Sequence, residues 1–182
     1  MSAAQRSRRA WGWHPLTDAW AARIVADAGI GPGDLVLDIG AGTGALTAPL
    51  LAAGARVIAI ELHPGRAARL RERFAGRSLS VVDADAASLR LPRRPFRVVA
   101  SPPYNLTSTL LRALLAPDSR LVRADLVLQR QAVRRVVDEP GRWARRFDLH
   151  AGRPLPRAAF RPPPQVDSSV LVVRKRSGRA PR

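Results

Sequence analysis

The sequence predicts a doubly wound α/β fold around a mostly parallel sheet, and three observations carry that expectation. Short apolar runs such as LVLDI, RVIAIE and FRVVA are continuous rather than alternating, as strands are when helices cover both faces. Helical spacing fills the intervals between them, which is the βαβ rhythm. A glycine-rich loop follows the first run and opens a helix, the usual entry to such a sheet. No internal repeat or heptad interrupts this order.

Each element has its own signal. Thr17-Asp18 is a cap pair, and Trp20, Ile24, Val25 and Ala28 then fall on one helical face. The stretch GIGPGD ends that helix. LVLDIG reads as the first strand, and GAGTGALTAPLLAAG as a loop and helix stopping at Gly54. RVIAIE is a second strand, followed by an arginine-rich helix over about 64–74. LSVVDAD and FRVVAS make strands three and four, and a helix over about 108–115 leads to the fifth strand, ADLVLQ. RQAVRRVV is helical and DEPGRW is a loop. SSVLVVRKR forms a late strand, pairing antiparallel with one near 146–150.

Composition excludes several classes. With 182 residues the chain has room for one domain, set at 16–176, between a basic arm (1–15) and a basic tail (177–182). The absence of cysteine excludes disulfides and thiolate metal sites. The three histidines lack ligand spacing, so no metal is expected. No apolar run approaches about 18 residues and no secretory leader opens the chain, so a cytoplasmic protein without a membrane span is expected. Lys+Arg number 31 against 14 Asp+Glu, a formal charge of +17 carried almost wholly by arginine. Such an excess favours a polyanion, because phosphate contacts release counterions and arginine stacks on bases. Coding bias toward arginine is the bland alternative.

In a doubly wound sheet ligands bind outside the carboxyl ends of the strands. That rule gathers Asp38, Gly40, Gly42, Gly44, Glu61, Asp85 and the segment Ser101-Pro102-Pro103-Tyr104. Glycines let the backbone approach a ligand closely. Glu61 can accept both ribose hydroxyls, and Asp85 an adenine amino group. The loop also satisfies G-x-G-x-x-A through Gly40, Gly42 and Ala45, so a dinucleotide reading stays open. Asp38 would repel a pyrophosphate and attract an ammonium group, which favours S-adenosylmethionine. An exocyclic amine on a base is a poor nucleophile, so its methylation needs orientation more than a strong base. Ser101 Oγ, the Pro102 carbonyl and the face of Tyr104, the only tyrosine, supply acceptors and a stacking surface, while the prolines stiffen the backbone.

Taken with Phe160-Arg161-Pro162-Pro163-Pro164-Gln165-Val166-Asp167-Ser168, these motifs resemble the Erm family over roughly residues 11–176. Members are S-adenosylmethionine-dependent adenine-N6 methyltransferases of 23S rRNA, on the Rossmann-like sheet of class I methyltransferases. The small-subunit dimethyladenosine transferases share that scaffold. The resemblance implies cofactor contacts at Gly40, Glu61 and Asp85, with His14 and Leu16 at the methionine end. It implies a target-adenine pocket between Tyr104 and Phe160, and a structural role for Gln129. It further implies 23S rRNA or a large-subunit precursor as partner, and resistance to macrolide, lincosamide and streptogramin B antibiotics. A monomer is expected.

The chain departs from the family in three places: Ser101 stands where asparagine is usual, Trp13 and Pro15 alter the arm, and the usual carboxyl-terminal helical domain is expected to be missing. Trp11 and Trp13 read equally as a hydrophobic anchor for the arm. Arg134-Arg135, Arg142, Arg145-Arg146 and the two basic ends would then supply the RNA contacts, with strong salt dependence and a loose choice among neighbouring adenines. Competing readings are a small-subunit dimethyltransferase, a non-catalytic RNA-binding assembly factor on the same fold, and, most remotely, a nicotinamide-dependent enzyme.

Overall fold

The computed structural model describes residues 14–176. Its elements follow the order α1 (Asp18–Ala28), β1 (Leu35–Ile39), α2 (Thr47–Ala52), β2 (Arg56–Glu61), α3 (Pro64–Arg73), β3 (Leu79–Asp83), β4 (Phe96–Ala100), α4 (Thr107–Leu114), β5 (Leu121–Gln129), α5 (Arg130–Asp138), β6 (Phe147–Leu155) and β7 (Ser168–Lys175). The expected arm lies outside the described residues apart from His14 and Pro15. So do Trp11, Trp13 and the tail.

Seven strands form one sheet in the order β3-β2-β1-β4-β5-β7-β6. The first five pair in parallel, while β7 runs antiparallel between β5 and β6. Alternation along each strand divides the core in two. Val36, Val99, Val127, Val170 and Val172 pack under α1 and α2. Leu37, Val98, Leu126, Leu128, Leu171 and Val173 pack with Leu110, Leu111 and Val133 of α4 and α5. Both faces are therefore buried, which is why the strands read as continuous apolar runs.

Local chemistry sets the boundaries. Ala21, Ile24, Val25 and Ala28 give α1 its buried stripe, and Gly29 ends it at φ 60°, a left-handed position that suits glycine. Thr17 precedes α1 in extended conformation without a side-chain cap bond. The helix after the glycine loop starts only at Thr47, because Gly44 holds φ 94° and cannot be helical. Strand β5 begins three residues before ADLVLQ, and β6 continues past His150 to Leu155. The stretch expected as the loop DEPGRW ends in a 3-10 turn over Gly141–Arg145.

The switch in strand order falls between β1 and β4, which are neighbours although two strands intervene in sequence. A crevice opens there, at the carboxyl ends of both strands.

Candidate active site

The crevice widens into a cavity open to solvent at the strand ends. His14, Leu16, Asp38, Gly40, Glu61 and Asp85 line it, as do Ser101, Pro102 and Tyr104. Three expected residues do not. Gly42 is buried behind the wall and donates its N–H to Glu61 Oε2 at 2.8 Å. Gly44 backs onto Phe74, where an added Cβ would stand 2.6 Å from the ring. Phe160, expected opposite Tyr104, is only 1% exposed and belongs to the core with Leu16, Val99 and Val127. Its backbone bridges Leu16, and Thr17 N–H donates to the Ala159 carbonyl at 2.8 Å, so that stretch is fixed to the amino-terminal segment.

Strand β1 delivers Asp38 and Gly40. The Asp38 carboxylate is buried and accepts the Thr47 hydroxyl at 2.7 Å. Burial pushes its pKa up to about 7, the Thr47 bond opposes that rise, and the nearby Glu61 charge adds to it. Gly40 sits at φ 76°, with its absent Cβ 3.3 Å from Pro103 Cδ and 3.5 Å from Pro102 Cα. A side chain at this position would close on the S-P-P segment from a left-handed φ, so glycine suits it on both counts. Gly40 and Ala41 both donate N–H to the Ile60 carbonyl, at 2.8 and 3.1 Å, which ties the loop to β2.

Glu61 ends β2 with three protein donors on its carboxylate. Its Oε1 accepts the His63 N–H at 2.9 Å and Arg66 Nε at 3.0 Å, while Oε2 accepts Gly42 N–H. Of the two oxygens expected to accept ribose hydroxyls, Oε2 keeps room for a further donor, while Oε1 already accepts from His63 and Arg66. Asp85 lies exposed past β3 and accepts the Ala87 N–H at 2.8 Å, capping the 3-10 turn at Ala86–Ser88.

Strand β4 hands the chain to Ser101, buried Pro102, Pro103 and half-buried Tyr104. The Tyr104 phenol bonds Ser168 Oγ at 2.7 Å, and its backbone carbonyl accepts the Thr107 hydroxyl at 2.8 Å. Burial holds the phenol pKa above its ordinary value, with the Ser168 bond acting against that. On the opposite lip, His14 Nδ1 lies 3.0 Å from the Pro162 carbonyl, and Arg161 N–H donates to Pro15 O at 2.9 Å. Gln129 pairs with Ser168 across β5 and β7, a structural position.

The sequence reading did not name Leu62, Arg66, Thr43 or Leu106, which also line the cavity. Leu62 is 45% exposed, a large apolar side chain left open beside the acidic strand end. Its only sequence signal is its place next to Glu61. A buried acid, an exposed apolar face and two further carboxylates suit a ligand with an amine, an apolar ring and hydroxyl donors.

Against known proteins, residues 5–182 match the family described as Ribosomal RNA adenine dimethylase. A ribosomal RNA small subunit methyltransferase A from Thermosynechococcus vestitus is 37% identical, covering 93% of this chain and 70% of that protein. An rRNA adenine N-6-methyltransferase from Corynebacterium diphtheriae is 32% identical, covering 77% of this chain and 57% of its own length. The crystal structure of the 23S rRNA methyltransferase ErmE superposes with a TM-score of 0.79 at 32% identity, over 89% of this chain and 70% of that one.

Proposed function

Because the chain belongs to the ribosomal RNA adenine dimethylase family, we propose that it methylates N6 of an adenine in 23S rRNA and so lowers binding of macrolide, lincosamide and streptogramin B antibiotics. The coarser reading, a class I S-adenosylmethionine-dependent rRNA adenine methyltransferase, is its premise. One observation carries the mechanism: Asp38-Gly40 and Ser101-Tyr104 meet at a single cavity, with Gly40 in contact range of both prolines.

The residues present fit the cofactor. Asp38 is a buried carboxylate on the wall, a partner for an ammonium group. Leu62 offers an apolar surface to an adenine ring, and Glu61 and Asp85 offer acceptors. When bound, S-adenosylmethionine supplies an electrophilic methyl group. The chain's own work is orientation. Ser101 Oγ and the Pro102 carbonyl accept from the N6 hydrogens, leaving the nitrogen lone pair turned away from them. Tyr104 stacks on the unpaired adenine. Without a strong base, the proton released from N6 leaves through these acceptors toward solvent. Serine makes a shorter clamp than the asparagine usual in the Erm pattern, so the amine is held by fewer bonds.

Arg130 and Arg157 flank Asp167 beside this clamp at 3.7 Å each, and Arg157 and Arg161 are exposed. Such a rim suits the phosphates flanking a splayed base. Likeness to the 23S rRNA methyltransferase ErmE supports the large-subunit target. The higher identity to the Thermosynechococcus protein favours a second reading, a small-subunit dimethyltransferase.

Incubation of purified protein and labelled S-adenosylmethionine with 23S and 16S rRNA, followed by mapping of methylated adenines, separates the readings. Label in 23S rRNA, with raised erythromycin tolerance in cells carrying the gene, is the expected result. Label confined to 16S rRNA assigns the second reading. Label in neither removes both.

A further inference from the structure

The Tyr104–Ser168 bond joins two segments that are distant in sequence, and it gives the serine of the F-R-P-P-P-Q-V-D-S run something to do. Ser168 is the first residue of β7 and is fully buried. Its Cα pairs with Gln129 of β5 on one side and Leu155 of β6 on the other. Three strands therefore fix its backbone, and its hydroxyl lies 2.7 Å from the only phenol in the chain. Tyr104 begins the 3-10 turn at Tyr104–Leu106, where Thr107 holds its carbonyl. The backbone end of Tyr104 is held by Thr107, and the far end of its ring by Ser168.

We infer that Ser168 is a positioning residue for the stacking reaction, acting through Tyr104 rather than on the substrate. The inference rests on the reading of Tyr104 as the base platform. A half-buried phenol deprived of its partner must find water, and Tyr104 lines a cavity that is open to solvent. The ring would then turn toward solvent and present its edge instead of its face to the incoming base. With Ser168 in place the platform is set before the base arrives, so no ordering cost falls on the encounter. Ser168 is too deeply buried to touch RNA, which separates its role from that of the exposed arginines.

The test is a double-mutant cycle on methyl transfer, with Ser168→Ala, Tyr104→Phe and both together. Each single change should lower kcat about tenfold, the size of one lost buried hydrogen bond, while the cofactor Kd stays at the wild-type value. The double variant should lose no more than either single one. Ser168→Thr, which keeps the hydroxyl, should recover most of the rate. Losses that multiply, or a Ser168→Ala enzyme as fast as wild type, would overturn the inference. If Ser168→Ala fails to fold, Tyr104→Phe decides alone: full activity without the phenol hydroxyl refutes the role. A readout independent of catalysis comes from ring-labelled tyrosine, since one tyrosine gives one set of NMR signals. Those signals should shift and average in Ser168→Ala. Unchanged ring signals refute the positioning role even if wild type methylates rRNA, and changed signals with an inactive wild type locate the failure in the proposed function instead.

Discussion

At the scale of single residues, the proposed role of Asp38 as the partner of the cofactor's amine predicts that binding depends on pH. Burial raises the folded pKa of Asp38 to about 7, well above the ordinary carboxylate value of 3.8. Between those values the folded protein holds a proton that the unfolded chain has released, so this group's share of stability declines as pH rises from about 4 to 7. Affinity for a cationic amine moves the other way, since only the ionised carboxylate attracts it. Below pH 7 the cofactor Kd should weaken by up to about tenfold per pH unit and level off above, whereas Asp38→Asn should bind weakly with a flat profile. Calorimetric titration of S-adenosylmethionine from pH 5.5 to 8.5 checks this, and a sloping Asp38→Asn curve would assign the dependence elsewhere. Gly40→Ala should fail for a steric reason. A side chain at φ 76° costs about 1–2 kcal/mol, and the new Cβ would stand 3.3 Å from the Pro103 ring, so cofactor binding should fall about tenfold. Wild-type binding by Gly40→Ala would show that the loop tolerates a wider approach to the prolines.

At the scale of elements, Arg97 shows how a strand secures a helix. From β4 it donates to the Ala28 and Gly29 carbonyls at the end of α1 and pairs with Asp34 at 2.8 Å. Arg97→Met should strip those carbonyls of their donor and lower stability by about 2 kcal/mol, a fall in Tm of about 4–8 °C by calorimetry. An unchanged Tm would mean that water caps α1 equally well. The order of elements was legible because strand and helix signals are local: buried strands are apolar runs, and α1 repeats at helical spacing. What the sequence hid was tertiary. Leu121–Arg123 mixes Leu, Val and Arg, so the start of β5 carries no apolar run and is a strand only because β4 and β7 pair with it. Pro154 discourages extending β6, yet an edge strand with a register shift accommodates it. Most of the site was legible, since the rule for strand ends places acids and glycines together. The engagement of Glu61 by Gly42, His63 and Arg66 was not, because hydrogen-bond partners have no linear pattern. Nor was the burial of Phe160, which depends on Leu16 reaching it from the other end of the domain.

At the scale of the whole molecule, charge and connectivity dominate. A chain of formal charge +17 should bind RNA with an affinity that falls about a thousandfold between 50 and 200 mM salt, if some six phosphates are contacted. Filter binding across that range checks it, and a flat response would return the arginines to coding bias. Connectivity has a temporal side. The lip carrying His14 and Leu16 is completed by Ala159, Phe160, Arg161 and Pro162, partners that the ribosome makes nearly 150 residues later. The sheet's parallel half can assemble during translation, but the cavity lacks this part of its rim until synthesis has passed Pro162. A nascent chain stalled short of Phe160 should therefore contain folded strands and yet fail to retain nucleoside.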